Sequence, residues 1–204
     1  MSGKAKVTES VKMYTDSVLS QSKSIPVTIT TFSGLADNKE HIALAYPFLD
    51  ASPLVRVHSE CLTGDVFSSQ LCDCGPQLLE SRKLLEGSGG ILLYLRQEGR
   101  GIGLYKKITA YRLQNEGLDT YEANRAQGLP EDSRNFLVAA QMLKSMNVKS
   151  CRLITNNPEK MAALVDAGID VIERLGTNVH KTAHNAHYLQ SKKERGHQLN
   201  FTVR

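Results

Sequence analysis

The chain has 204 residues, 41% apolar and 23% charged, with fifteen glycines and six prolines, a composition that excludes collagen-like, disordered and coiled-coil classes. Twenty-five basic against 21 acidic residues leave a net charge of +4, which permits an anionic ligand but is too small to argue for nucleic acid. Four cysteines in so long a chain do not make a disulfide scaffold, no apolar run approaches the ~20 residues of a membrane span, and the start MSGKAKVTES lacks a signal peptide's apolar stretch. The expected setting is a reducing cytoplasm, in which cysteines are free, catalytic or metal-bound.

Residues 1–24, rich in Ser, Lys and Thr, read as a flexible tail, within which Val7, Val11, Tyr14 and Val18 recur at helical spacing. Three β-rich runs, Ile25–Phe32, His41–Tyr46 and Leu54–His58, are divided by turn-formers and predict antiparallel strands. After Cys74-Gly75-Pro76 the period changes: Leu78, Leu79, Arg82 and Leu85 predict a helix from the proline to Gly87. Gly90–Leu95, nearly all apolar, fits a buried strand that runs into the polar Gln97-Glu98-Gly99-Arg100-Gly101. Helices are predicted over 102–116 and 131–146. Cys151–Ile154, the turn Asn156-Asn157-Pro158, a helix to Ala167 and Ile169–Glu173 then make a β-α-β unit. The expected fold class is mixed α/β (α+β): one domain over residues 25–190, with an antiparallel β-rich N-terminal half, a β-α-β C-terminal half and a basic tail over 191–204.

Three of the four cysteines, Cys61, Cys72 and Cys74, lie within fourteen residues, with His58 and Glu60 just upstream. Thiolates bind zinc tightly; four protein ligands close a structural tetrahedron, whereas three leave a position open for chemistry. Cys61, Cys72 and Cys74 with His58 would make the closed site, and the three cysteines alone the open one. Asp73 and Gly75 argue against three merely buried thiols. The segment Arg96-Gln97-Glu98-Gly99-Arg100-Gly101 could cradle phosphate, since glycine admits close backbone approach and arginine forks match phosphate oxygens. By itself it also reads as a solvated turn, but its place after a buried strand is where α/β sheets gather ligands. Asp132-Ser133-Arg134 reads locally as a helix N-cap and a surface arginine. Thr155-Asn156-Asn157-Pro158-Glu159-Lys160 can surround an anion with N–H groups, a hydroxyl and an ammonium, or form a plain Asn-Pro turn. Tyr111 reads as core on spacing alone.

Taken together, Arg56-Val57-His58-Ser59-Glu60-Cys61-Leu62-Thr63-Gly64-Asp65, Cys72-Asp73-Cys74-Gly75, Arg96-Gln97-Glu98-Gly99-Arg100 and Thr155-Asn156-Asn157-Pro158 resemble the GTP cyclohydrolase II family in order and spacing, over roughly residues 40–175. The resemblance implies a zinc enzyme that opens the imidazole half of GTP's guanine, releases formate and pyrophosphate, and leaves a diaminopyrimidinone ribosylamine phosphate, the first step of riboflavin biosynthesis. It implies one Zn²⁺ per chain on Cys61, Cys72 and Cys74 with water as fourth ligand, and Mg²⁺ with the triphosphate. Arg56, Val57, His58, Ser59, Glu60, Gln77, Glu98, Gly99, Arg100, Thr120, Thr155 and Lys160 would line the GTP site. Asp132 would accept a proton, Arg134 would engage the α-phosphate, Tyr111 would serve ring opening and Glu60 would shuttle a proton. The implied partner is GTP, with neither nucleic acid nor membrane, and the implied assembly is a homodimer. The chain departs from the family pattern over Leu175–Ala183 and returns to it at Asn185, Tyr188, Leu189, Gly196 and His197.

Overall fold

The structure, a computed structural model, describes residues 4–198 apart from Gln21 and Glu131. Its first three strands, β1 (Lys6–Asp16), β2 (Ser24–Ser33) and β3 (Ile42–Tyr46), form an antiparallel meander. There follow β4 (Leu54–Ser59), α1 (Leu62–Asp65), α2 (Cys74–Ser88), β5 (Gly90–Leu95), a 3₁₀ turn at Glu98–Gly101, α3 (Leu104–Asn115) and α4 (Thr120–Arg125). The chain continues through α5 (Leu137–Ser145), β6 (Ser150–Ile154), α6 (Pro158–Asp166), β7 (Asp170–Leu175) and α7 (Ala186–Glu194). The seven strands make one mixed sheet in the order β1-β2-β3-β5-β4-β6-β7.

Strands β4, β5 and β6 are central and buried on both faces, which is why GILLYL carries no polar alternation. On one face Val55, Val57, Leu93 and Leu153 pack against Met142 and Leu143 of α5 and Leu164 of α6. On the other, Leu54, Leu92 and Ile154 pack with Leu85 of α2. The two-residue period of β4 therefore sends Arg56 and His58 to the α2 side, where Arg56 Nη2 donates to Gln77 Oε1 at 3.2 Å. Because β4 runs parallel to both β5 and β6, the carboxyl ends of these strands share one edge of the sheet. Helix α2, which follows β4, and helix α5, which leads to β6, pack on opposite faces of the sheet, and a crevice at such a switch is where these sheets bind ligands.

Five expectations change. Residues 6–16 of the N-terminal segment form a strand, not a loose tail or a helix: β1 pairs with β2 from Lys6↔Ser33 to Asp16↔Ser24. That strand is mostly exposed, so its apolar spacing has no core to report. Leu54–His58 is not antiparallel to its neighbours, since α2 returns the chain parallel to it. The helix expected at Pro76 begins two residues earlier and takes in Cys74; proline is tolerated in a first turn, where its missing N–H has no partner anyway. The helix expected from 131 begins only at Leu137, and Asp132 caps nothing. Its carboxylate accepts the Arg134 N–H at 2.9 Å, which holds the segment out of helix, and Asn135 Oδ1 accepts Leu137 N–H instead at 3.0 Å. At the other end, α7 begins inside the expected domain and runs to Glu194, so part of the basic tail is helical; Leu199–Arg204 lie outside the described residues. No helix among the described residues is long and apolar enough to cross a membrane.

Candidate active site

Cys61 ends the β4 connection at the mouth of α1, Cys72 lies in the α1–α2 loop, and Cys74 opens α2. Their Sγ atoms all lie within 4.8 Å of one another, and Cys61 and Cys72 approach to 3.6 Å. Zinc–sulfur bonds of about 2.3 Å at tetrahedral angles require sulfurs about 3.8 Å apart, so the donor set fits a zinc ion. Two glycines make the convergence possible. A Cβ on Gly64 would stand 3.0 Å from Cys72 Sγ and 3.1 Å from Cys61 Sγ, and one on Gly75 would meet the Gly64 carbonyl at 2.3 Å. His58 does not join the cluster: its Nε2 faces both Asp65 oxygens at 3.1 Å and its ring stacks on Tyr94. Asp65 also accepts the Cys61 N–H at 3.0 Å and the Tyr94 hydroxyl at 2.8 Å, which fixes the first cysteine from behind. The closed Cys₃His arrangement is thus not assembled, and the three-thiol one is.

Lys107 of α3 was missed by sequence reasoning. Its Nζ donates to Cys61 Sγ at 3.1 Å and to Glu98 Oε1 at 2.8 Å. Burial would lower the Lys107 pKa, but the adjoining Cys61 and Glu98 raise it overall, so the ammonium persists beside the cluster. Hydrogen bonds from Cys72 and Cys74, and then Lys107, lower the Cys61 pKa. Glu98 also accepts the Leu62 N–H at 2.6 Å and the Gly99 N–H at 2.7 Å, so one carboxylate ties the 3₁₀ turn, α1 and α3 together. The turn itself depends on left-handed backbone at both Gly99 (φ 61°) and Arg100 (φ 60°).

The thiols open onto a cleft. Of the expected residues, Ser59, Glu60, Glu98, Gly99, Arg100, Tyr111, Asp132 and Arg134 line it with the three cysteines. Tyr111 is therefore a wall residue and not core; its hydroxyl meets Thr63 Oγ1 at 3.1 Å, and burial pushes its pKa up to about 12. Glu60 accepts from Arg96 Nε at 2.9 Å. Arg134 clamps Asp132 through Nε at 2.9 Å and through Nη2. Burial would raise the Asp132 carboxyl, yet the guanidinium bonded to it lowers its pKa overall. Arg56, Val57, His58, Gln77, Thr155 and Lys160 are buried and do not reach the cleft wall. They are bonded among themselves and to their neighbours: Arg56 meets Gln77, whose Nε2 donates to Asp73 at 2.7 Å, and Lys160 Nζ donates to the Val57 carbonyl at 2.9 Å. Burial first, then Arg56 and Arg134, depress the Lys160 pKa. Thr120 opens α4, and its side chain lies outside the described residues. Tyr188, Lys192, Arg195 and His197, at the C-terminal end, complete the cleft.

A thiol cluster that fits a metal, set beside an arginine-lined cleft at the carboxyl ends of parallel strands, defines an α/β protein built for chemistry on an anionic ligand. Residues 15–176 match the family model described as GTP cyclohydrolase II. GTP cyclohydrolase-2 of Aliivibrio fischeri is 50% identical over 187 residues, covering 90% of this chain and 94% of that protein. The Vibrio cholerae protein of that name is 50% identical over 193 residues, 93% of this chain and 98% of its own. Riboflavin biosynthesis protein RibBA of Bacillus velezensis is 50% identical over 175 residues, 83% of this chain but 44% of that longer protein. The chain belongs to the GTP cyclohydrolase II family and is an enzyme of the hydrolase class.

Proposed function

We propose that the chain hydrolyses GTP at the ring carbon between the two imidazole nitrogens of guanine, releasing formate and pyrophosphate, and so begins riboflavin synthesis. The observation that carries this reading is the opening of the three-thiol cluster onto the same cleft as Glu60, Tyr111, Asp132 and Arg134. Cys61, Cys72 and Cys74 would hold one zinc, whose Lewis acidity makes water nucleophilic near neutral pH.

One water adds to the ring carbon and opens the imidazole to a formamide; a second cleaves the formamide to formate and an amine; a third replaces pyrophosphate on the α-phosphorus. Glu60, on the wall next to Cys61, takes the proton from the attacking water and returns it to the departing ring nitrogen. The Tyr111 hydroxyl, held protonated by burial, donates to charge that develops on the opening ring. Arg134 leaves Asp132 for the α-phosphate when the triphosphate enters. Released from that ion pair, Asp132 becomes more basic and suited to accepting a proton. The cations of the cleft, with Mg²⁺ carried on the triphosphate, stabilise the leaving pyrophosphate.

Incubation with GTP and Mg²⁺ tests the reading. Equal amounts of formate and pyrophosphate should appear, and both should cease when the metal is stripped by a chelator. Pyrophosphate without formate would contradict it.

A further inference from the structure

Beyond residues 15–176, which the family model matches, Tyr188, Lys192, Arg195 and His197 wall the same cleft. Helix α7, which carries the first three or directly precedes them, is fastened at both ends. Asn185, fully buried before its first turn, accepts the Thr182 N–H and donates to the His180 carbonyl, each at 2.8 Å. Tyr188 Oη lies 3.7 Å from Cys74 Sγ, and Lys192 Nζ, one turn further on, donates to the buried Asp73 at 2.6 Å. Beyond the helix, Gln198 N–H reaches the Asn156 carbonyl at 2.9 Å, closing the chain over the Thr155–Lys160 loop.

This wall brings cations to face cations. Lys192 and Arg195 share the cleft with Arg100 and Arg134, and the uncharged His197 imidazole stands among them. Burial, then Lys192, Arg134, Lys160 and Arg100, push the His197 imidazole down to about 3. Asp73 pairs with Lys192 and Asp132 with Arg134, and a polyanion entering between the walls would meet both pairs together with Arg100 and Arg195. Along α7, Tyr188 stands at the thiols and Lys192 follows one turn later.

We propose that α7 and the turn to His197 form the outer wall of a polyphosphate subsite, with Lys192 and His197 as direct ligands of the two phosphates that leave together. The inference rests on reading the cleft as the GTP site and adds residues to it.

The test is calorimetric titration of the zinc-loaded protein with tripolyphosphate, GTP and GMP. In the Lys192→Ala/His197→Ala variant, tripolyphosphate and GTP should bind at least about tenfold more weakly, the scale of lost charge-assisted hydrogen bonds, while GMP affinity changes less than about twofold. Lys192→Arg should restore most of the loss. His197→Asn alone, which leaves the Lys192–Asp73 bond in place, should weaken tripolyphosphate in the same direction with zinc content unchanged. Wild-type tripolyphosphate affinity in the double variant would overturn the inference, as would an equal loss of GMP. Wild-type protein that binds tripolyphosphate but not GTP would instead overturn the GTP reading and leave the subsite standing.

Discussion

Gly64 shapes the thiol cluster as much as the cysteines do. With three sulfur or Cβ neighbours within about 3.1 Å of a built Cβ, Gly64→Ala must spread the thiols. We expect this variant to retain its fold but lose most bound zinc by elemental analysis, together with turnover. Cys72→Ser should abolish both, whereas His58→Ala should keep its zinc, because His58 is held by Asp65 and not by the cluster. Asp132→Asn and Arg134→Ala should each leave the melting temperature near the wild-type value and lower kcat by about a hundredfold or more, the usual worth of a positioned proton acceptor or charge stabiliser; wild-type rates in either would remove its assigned role. The cysteines were legible in the sequence because thiols at close spacing have few other uses. Lys107 and Asp65 were not: a lysine on a helix reads as solvated, and only the fold brings its ammonium 3.1 Å from a thiol 46 residues away.

At the scale of elements, the loops after β5 and before α5 are locked to one another by a buried hub. His41 Nδ1 accepts the Arg96 N–H at 2.9 Å, so Nε2 carries the proton and donates to Asp37 at 3.0 Å. Gln97 Nε2 donates to the same carboxylate at 3.2 Å and to the Asn135 carbonyl at 2.8 Å, and Ser133 N–H donates to the Arg100 carbonyl at 2.9 Å. Burial lowers the His41 pKa despite Asp37, so the folded protein prefers the neutral ring. The unfolded ring, with a pKa near ~6.5, binds a proton that the native one refuses, and stability therefore falls as pH drops below about 6.5. His41→Gln should cost about 1–3 kcal/mol at neutral pH by leaving buried partners unpaired, and should flatten the fall in melting temperature between pH 7 and pH 5.5; an unchanged slope would show that His41 is not its source. Leu93→Ala, in a central buried strand, should cost about 2–5 kcal/mol in urea unfolding. An unbroken apolar run revealed β5, because burial on both faces leaves no place for polar side chains there. Periodicity failed at β1, which is exposed, and at α5, whose start is set by the Asp132–Arg134 contact and not by propensity.

The whole molecule divides its labour between the two kinds of sheet. The antiparallel strands β1–β3 extend one side, while the parallel strands β4–β7 deliver the 59–61, 96–100 and 155–160 loops to one edge. The families of motifs visible in the sequence are those loops, which is why the site was largely legible before the fold. The C-terminal wall was not, because its basic residues gain meaning only where α7 docks. The cytoplasmic homodimer implied by family resemblance belongs to the proposal: sedimentation at micromolar concentration should give twice the chain mass, and a monomer would contradict it. The most direct test of the central claim uses GTP labelled with carbon-13 at the carbon between the imidazole nitrogens. The account predicts that the label leaves as formate while the nucleotide product retains one phosphate; label retained in the nucleotide, as guanine or as a formamide, would contradict it.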